Sequence, residues 1–295
     1  MGRTNRNTPE TGQTGHFSQP AGTLPSGWRP TLVGAVPLPV FIGLITIFNI
    51  ILPSPALLSA GLRFEPPLLN SILYTVFISL TSFLVAYISL KGYLQTGSAI
   101  LLLLGSAGLA WGSASLVGSW LGSLPAGPNV GITIVNTGAL LASAFHVASG
   151  TLTSNSTFPE NRPRVRKSLS SIAYIGVLSL MAILTLTSLE GLVPPFFVPG
   201  VGQTPLRMAV LGSASALFAV SSLLFARLCF TSKSRILYWY FLGLGMTSVG
   251  LAAVFFGRAP GDPISWTGRA AQFLGGVYFL KAVLTTFRGV HPTGT

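Results

Sequence analysis

Long apolar runs separated by short polar stretches dominate this chain. About eight runs have roughly the 20 residues that an α-helix needs to cross ~30 Å of hydrocarbon. We therefore predict an all-α fold, a polytopic membrane helix bundle over residues 31–288. The predicted helices cover 31–53, 68–90, 98–121, 130–152, 168–189, 206–229, 236–257 and 265–287. Residues 1–30 are polar and predict a disordered tail, and residues 289–295 predict a second, short tail.

The 17 Lys and Arg residues are distributed unevenly across this threading. One side of the membrane holds only Arg63, Arg207, Arg258 and Arg269. The other side holds Arg3, Arg6, Arg29, Lys91, Arg162, Arg164, Arg166, Lys167, Arg227, Lys233, Arg235, Lys281 and Arg288. Because short cytoplasmic loops retain basic residues, the pattern predicts that both ends of the chain face the cytoplasm.

The composition excludes a soluble domain. The chain is 49% hydrophobic and 7% charged, with a mean hydropathy of +0.67, whereas about a quarter of the residues in soluble domains are charged. The net charge of +12 is spread over cytoplasmic loops, where it sets topology and meets anionic lipid headgroups. The lipid bilayer is thus the expected partner, and nucleic acid is not.

Few side chains inside the predicted helices are suited to catalysis. The acidic residues all fall in tails or loops: Glu10, Glu65, Glu160, Glu190 and Asp262. His146 is the one histidine in a predicted helix, and Cys229 is the one cysteine. We therefore expect no catalytic centre, no metal site and no cofactor. We expect His146 to bond to another helix, with a sensing role left open.

Lys281 is the one charged residue well inside a predicted helix, near its cytoplasmic end. A lysine in the last helix is the type of residue that forms a Schiff base with retinal. No acidic counter-ion lies in another predicted helix, however, and a lysine at this depth reaches the headgroups. The sequence therefore favours a structural lysine.

A stripe of small residues runs along the third predicted helix, at spacings of three and four. Its members are Gly105, Gly108, Gly112, Ser115, Ser119 and Gly122. Small residues let helix backbones approach closely in lipid, so this helix is predicted to be central to the bundle or to a homodimer seam. A similar stripe in the last helix comprises Gly268, Ala271, Gly275 and Ala282.

Polar residues on four predicted helices lie near the same, outer end of the bundle. They are Asn70, Asn136, Arg207, Arg269 and Gln272. If their faces converge, the arginines could hold an anionic group and the amides could give directional hydrogen bonds. These five residues are our candidate ligand-binding site. The alternative is that each one satisfies a neighbouring helix. The Pro-rich loop at 194–200 (PPFFVPG) is either a lid over this region or an interfacial anchor.

Several short motifs carry a resemblance to a known group of proteins. They are FEPPLLN at 64–70, the Lys91-Gly92-Tyr93 to Gly97 hairpin, NTGALL at 136–141 with His146, PPFFVPG, TPLR at 204–207, YWY at 238–240 and WTGRAAQFLGGVY at 266–278. In order and spacing they resemble the N-terminal multi-helix membrane region of archaeal and bacterial PAS-containing sensor histidine kinases. The resemblance implies a sensory input module in a prokaryotic plasma membrane, whose ligand is undefined.

The chain ends at Thr295, without a PAS or transmitter region after the last helix. We therefore expect a non-catalytic sensor that couples an extracytoplasmic or intramembrane stimulus to a cytoplasmic partner such as a kinase. A fragment of a longer sensor kinase is a second interpretation of the same ending. Two other functions stay open, a small-solute permease or facilitator and a structural subunit of a membrane complex.

Overall fold

The structure, a computed structural model, describes residues 32–51, 64–125, 127–152, 163–198, 201–257 and 261–288. These residues form ten α-helices and one small hairpin. The helices are α1 (Leu32–Ala35), α2 (Pro37–Ile51), α3 (Pro67–Tyr74), α4 (Leu80–Thr96), α5 (Ala99–Gly122), α6 (Pro128–Thr151), α7 (Pro163–Leu189), α8 (Pro205–Ser232), α9 (Arg235–Phe256) and α10 (Pro263–Arg288). The hairpin pairs β1 (Phe197–Val198) with β2 (Gly202–Gln203). The predicted tails at 1–30 and 289–295 lie outside the described residues.

The predicted all-α, polytopic membrane bundle is confirmed. Seven described spans are long and apolar enough to cross a membrane, one of them formed by α1 with α2 and another by α3 with α4. A π-helical segment at Thr75–Ser79 joins α3 to α4 without a break. The eighth predicted span corresponds to α10, which has 26 residues and is more polar in composition than the other seven spans.

Two helices extend further than the hydropathy pattern indicates. Helix α4 continues through Lys91 to Thr96, so the sequence that suggested a hairpin is helical and turns only at Gly97. Gly97 ends the helix with a positive φ of 73°, and its N–H donates to the Tyr93 carbonyl. Helix α7 begins at Pro163, before its first apolar residues. Polar helix ends that leave the hydrocarbon carry no hydropathy signal, which explains both differences.

Six helices form a closed ring. Around this ring, α4 packs on α5, α5 on α6, α6 on α8, α8 on α9, α9 on α10, and α10 on α4. Helix α2 lies outside the ring against α9 and α10, and α7 lies outside it against α4, α5 and α6. The outer face of α7 is strongly apolar, with Ile172 and Ile175 each more than half exposed, so it faces lipid.

The predicted small-residue stripes lie at contacts within the bundle. A Cβ at Gly108 would come within 2.8 Å of the Ser82 carbonyl on α4, and one at Gly112 would meet Phe83. The far end of α5 instead meets α6, where the backbones of Gly118 and Gly131 touch. Helices without side chains at the contact approach most closely, so α5 is central, as predicted.

Aromatic side chains fill the middle of the ring. Phe218 on α8 contacts Trp111 on α5 and His146 on α6, with ring centroids 6.2 and 5.6 Å apart. Tyr240 on α9 contacts Phe225 and also Phe279 on α10, both at 5.1 Å. These rings are almost completely buried. They form a packed aromatic layer that joins five of the six ring helices.

Lys281 lies on the exposed surface of α10 rather than inside the ring. Its Nζ lies 3.6 Å from the centroid of the Trp239 ring, a cation–π contact. This placement agrees with the expectation of a structural lysine that reaches the edge of the bundle.

Candidate functional site

A cavity of about 560 Å³ opens at one end of the ring. We call this the cavity end. The helices α3, α6, α8 and α10 all begin there, each at a proline, and α5 and α9 end there. Pocket volumes for small molecules run from about 300 to 1,000 Å³, so the cavity has the size of a ligand site.

Part of the cavity wall carries no side chains. Gly118 and Gly122 on α5 and Gly131 on α6 line it, and their backbones are in close contact. Apolar side chains cover much of the rest, among them Ile132 and Val135 on α6. The wall is therefore mostly apolar, and its few polar groups would determine which ligand it binds.

The structure brings four of the five candidate residues to this one cavity. Asn70, Asn136, Arg207 and Arg269 all line it. Gln272 does not. It lies one turn further along α10, where its Oε1 accepts a hydrogen bond of 3.3 Å from the Tyr74 hydroxyl. Tyr74 itself lines the cavity, so Gln272 supports the wall from behind.

Arg269 already has an anionic partner. Its two terminal nitrogens donate to the two carboxylate oxygens of Glu65 at 2.8 and 2.7 Å. Its guanidinium also stacks 4.9 Å from the Trp266 ring, whose Nε1 donates to the Phe64 carbonyl. The Phe64 N–H in turn donates to Gly261. This bidentate pair neutralises Arg269 and fastens residues 64–66 to the start of α10.

Arg207 is in a different state. Its side chain lines the cavity, the residue is only 8% exposed, and its Nε has no hydrogen-bond partner. None of the carboxylates in the described part of the chain forms a salt bridge with it. A buried charge without a partner is costly, so such groups in proteins usually serve a ligand or a function.

Two amides on the cavity wall also lack partners. Asn136 is 5% exposed and its Nδ2 makes no hydrogen bond within the described structure. The Oδ1 of Asn70 likewise has none. Together with Arg207, these groups offer hydrogen-bonding capacity that the described residues leave unused.

The β1–β2 hairpin is fixed against the cavity end. The Asn129 Oδ1 at the start of α6 accepts from the N–H groups of Phe196 and Phe197, at 2.9 and 3.0 Å. The Gln203 Nε2 donates 2.7 Å to the Gly257 carbonyl at the end of α9. Phe197 and Gln203 line the cavity, and Phe196 is buried. The described residues of the hairpin are thus fixed against the cavity end, and Phe196 packs inward.

His146 lies away from the cavity, ten residues further along α6 than Asn136. At 1.5 Å per residue this separation is about 15 Å. Its Nδ1 lies 3.2 Å from the Tyr240 hydroxyl on α9, so it bonds across to another helix as expected. Among the described residues, no group of three His, Cys, Asp or Glu side chains is placed to hold a metal ion.

Sequence reasoning missed several residues of this site. Glu65, Tyr74, Asn129 and Gln203 all contribute to it, yet none was a candidate. Glu65 lies two residues before a helix that begins at the cavity end, but Asp262 lies directly before another such helix, so this position alone did not single out Glu65. Its pairing with Arg269 spans 204 positions and depends on the packing of α10 against α3 and α4.

The match to known families decides the class of this bundle. Residues 67–287 match the family model of MASE3, described as a membrane-associated sensor domain. The chain belongs to the MASE3 family. Its MASE3 region runs from α3 to α10 and includes every helix of the ring. No curated protein and no solved structure matches the chain.

Membership in MASE3 confirms the resemblance to the membrane region of sensor kinases and makes the chain a membrane-associated sensor domain. Arg207, Asn136, Asn70 and Arg269 all fall inside the MASE3 region. Glu65 lies two residues before it, although its carboxylate completes the Arg269 pair inside.

Proposed function

We propose that this chain is a non-catalytic signal-input module of a prokaryotic plasma membrane. A stimulus bound in the cavity changes how the ring helices pack, and a cytoplasmic partner such as a kinase responds to their opposite ends. The single observation that carries this proposal is the cavity at one end of the ring, whose wall holds the buried, unpaired Arg207.

The packing of the ring supports transmission between its two ends. Helices α5 and α6 meet through Gly118 and Gly131, and α9 and α10 meet through Gly250 and Gly268. Contacts without interlocking side chains allow small shifts between two packed arrangements. Gly118 and Gly131 line the cavity, so an occupant would act directly on the contact between α5 and α6.

The aromatic layer argues against a permease. A transport path would have to pass from the cavity through the middle of the ring. There Phe218, Phe225 and Tyr240 are 0%, 1% and 4% exposed and pack against neighbouring helices. A cavity closed at its inner side suits a binding site that reports occupancy better than a channel.

The proposal is tested by filling the cavity and measuring the opposite end of the ring. Ile132→Trp places a large side chain in the cavity and imitates occupancy. Spin labels at Thr151 on α6 and Leu284 on α10, in a Cys229→Ser background, report the distance between exposed positions far from the cavity end. We expect the distance distribution in nanodiscs to differ between Ile132→Trp and the parent.

Ile172→Trp is the matched control, since it adds the same side chain to the lipid-facing side of α7. We expect the control to match the parent. A filled cavity that leaves the label distance unchanged would contradict a sensor that works through the ring. Flux of a small solute through liposomes containing the chain would favour the permease instead.

A further inference from the structure

The ionisable side chains on the cavity wall define the charge of a suitable ligand. Apart from the Tyr74 phenol, they are Glu65, Arg207 and Arg269. Glu65 and Arg269 neutralise one another through two hydrogen bonds. One positive charge remains, on Arg207. A ligand with a single negative charge would balance it, whereas a dianion or a cation would leave a buried charge uncompensated.

The donors around Arg207 define the chemical group. A guanidinium is a planar fork that matches the two oxygens of a carboxylate. The unpartnered Asn136 side chain is an amide on the neighbouring helix α6, which can add a third hydrogen bond. Arg207 also lies in the first turn of α8, where the helix dipole favours an anion.

The remaining wall defines the body of the ligand. Leu124, Ile132, Val135 and Val254 present apolar surface, and the glycines of α5 and α6 present bare backbone. An apolar ligand body gains roughly 25 cal/mol for each Å² that it buries against such a wall. The cavity volume of about 560 Å³ leaves room for a medium-sized chain or ring.

We propose that the cavity binds a monocarboxylate with an apolar body, and that Arg207 rather than Arg269 holds the carboxylate. This inference names the ligand class of the sensor and so rests on the proposed function for its biological meaning. Binding itself is measurable whether or not the ring transmits a signal.

The test measures equilibrium binding of radiolabelled octanoate to the full chain in nanodiscs, with empty nanodiscs subtracted. The variant Arg207→Gln removes the carboxylate partner. We expect it to weaken binding at least about tenfold, as loss of a charge-assisted pair requires. Arg227→Gln is the matched control, because it removes an exposed arginine from the same helix and should bind like the parent.

A second variant separates the two arginines. Glu65→Gln with Arg269→Gln removes the existing ion pair and keeps the net charge of the cavity. We expect it to bind octanoate within about threefold of the parent. A loss as large as that of Arg207→Gln would assign the carboxylate to Arg269 and overturn the proposal. Equal binding by Arg207→Gln and the parent would also overturn it, as would displacement of octanoate by octanol as efficient as by unlabelled octanoate.

A chain-length series from butyrate to palmitate distinguishes the source of the ligand. An affinity that peaks at medium length, after correction for partition into lipid, would indicate a water-soluble carboxylate. An affinity that still rises at palmitate would indicate a fatty acid from the bilayer. Absence of binding by every member would contradict the ligand class.

Failure of this inference is distinct from failure of the proposed function. If octanoate binds through Arg207 but leaves the Thr151 to Leu284 distance unchanged, the sensor mechanism is contradicted and the proposed ligand class is supported. If Ile132→Trp changes the label distance but the parent chain does not bind octanoate, the sensor mechanism is supported and the proposed ligand class is contradicted.

Discussion

At the scale of single residues, the Glu65–Arg269 pair carries the clearest energetic consequence. The Arg269 side chain is 12% exposed and that of Glu65 is 35% exposed, so the pair is shielded on one side only. Removal of one partner leaves the other charge partly buried, which costs more than the intact pair contributes. The cost here is reduced because Glu65 still meets solvent.

We therefore expect Glu65→Gln to lower the free energy of unfolding by about 1 to 2 kcal/mol. A denaturant titration in mixed micelles measures this change. In the double variant Glu65→Gln with Arg269→Gln, the free energy of unfolding should fall by less than the sum of the two single-variant losses, because neither charge is then left unpaired. Additive losses would show that the two side chains do not act as a pair.

The site was partly predictable at this scale. Asn70, Asn136, Arg207 and Arg269 were expected to converge because each lies within about two turns of a helix start at the same end of the bundle. Gln272, three residues after Arg269, was expected with them. A single turn of helix places it behind Tyr74 instead. The sequence could not distinguish the paired Arg269 from the unpaired Arg207, since that depends on where Glu65 comes to lie.

At the scale of helices, backbone contacts at glycine control the packing of the ring. The clearest case is Gly131 on α6, whose backbone touches those of Gly118 and Gly122 on α5. A methyl group there would meet backbone atoms on two sides. Neither side can give way by rotating a side chain, so the two helices would have to separate.

Gly131→Ala should therefore lower the free energy of unfolding by about 1 to 3 kcal/mol, the usual range for overpacking. Gly176→Ala on α7 is the matched control, because nothing lies within 4 Å of the added methyl group. We expect the control to be neutral in the same denaturant titration. A loss in Gly176→Ala equal to that in Gly131→Ala would mean that the effect is not one of close packing.

The small-residue pattern predicted which helix is closely packed but not which neighbouring helices it packs against. The spacing of Gly105, Gly108 and Gly112 correctly predicted a close-packed face, and the structure shows α4 against it. The contact with α6 is made by Gly118, which was not part of the predicted stripe, together with Gly122, which was. One helix with small residues on two faces gives two such contacts, and a periodic pattern alone does not indicate which neighbour meets which face.

At the scale of the whole molecule, the orientation in the membrane is the main expectation that still awaits a test. The distribution of basic residues predicts that the cavity end faces outward. Membrane-impermeant thiol labelling of intact cells tests this in a Cys229→Ser background. We expect Cys at Glu190, just after α7, to react, and Cys at Val165, near the start of α7, to stay protected. The opposite labelling would reverse the topology.

The ring itself could not have been derived from hydropathy. Eight apolar runs predict eight spans but not which of them are peripheral. Helices α2 and α7 differ from the ring helices in how many of their apolar side chains are exposed, as the exposed leucines and isoleucines of α7 show. That difference becomes meaningful only once the neighbours of each helix are known.

The tie between Glu65 and Arg269 also bears on how the sensor region is excised for further work. A fragment cut at the family limits, 67–287, would begin two residues after Glu65 and leave Arg269 without its carboxylate. It would also lack Gly34 on α1, whose carbonyl accepts a 2.8 Å hydrogen bond from the Tyr278 hydroxyl on α10. The folding unit is therefore larger than the matched family region, and a fragment intended to fold as this chain does should start before Leu32.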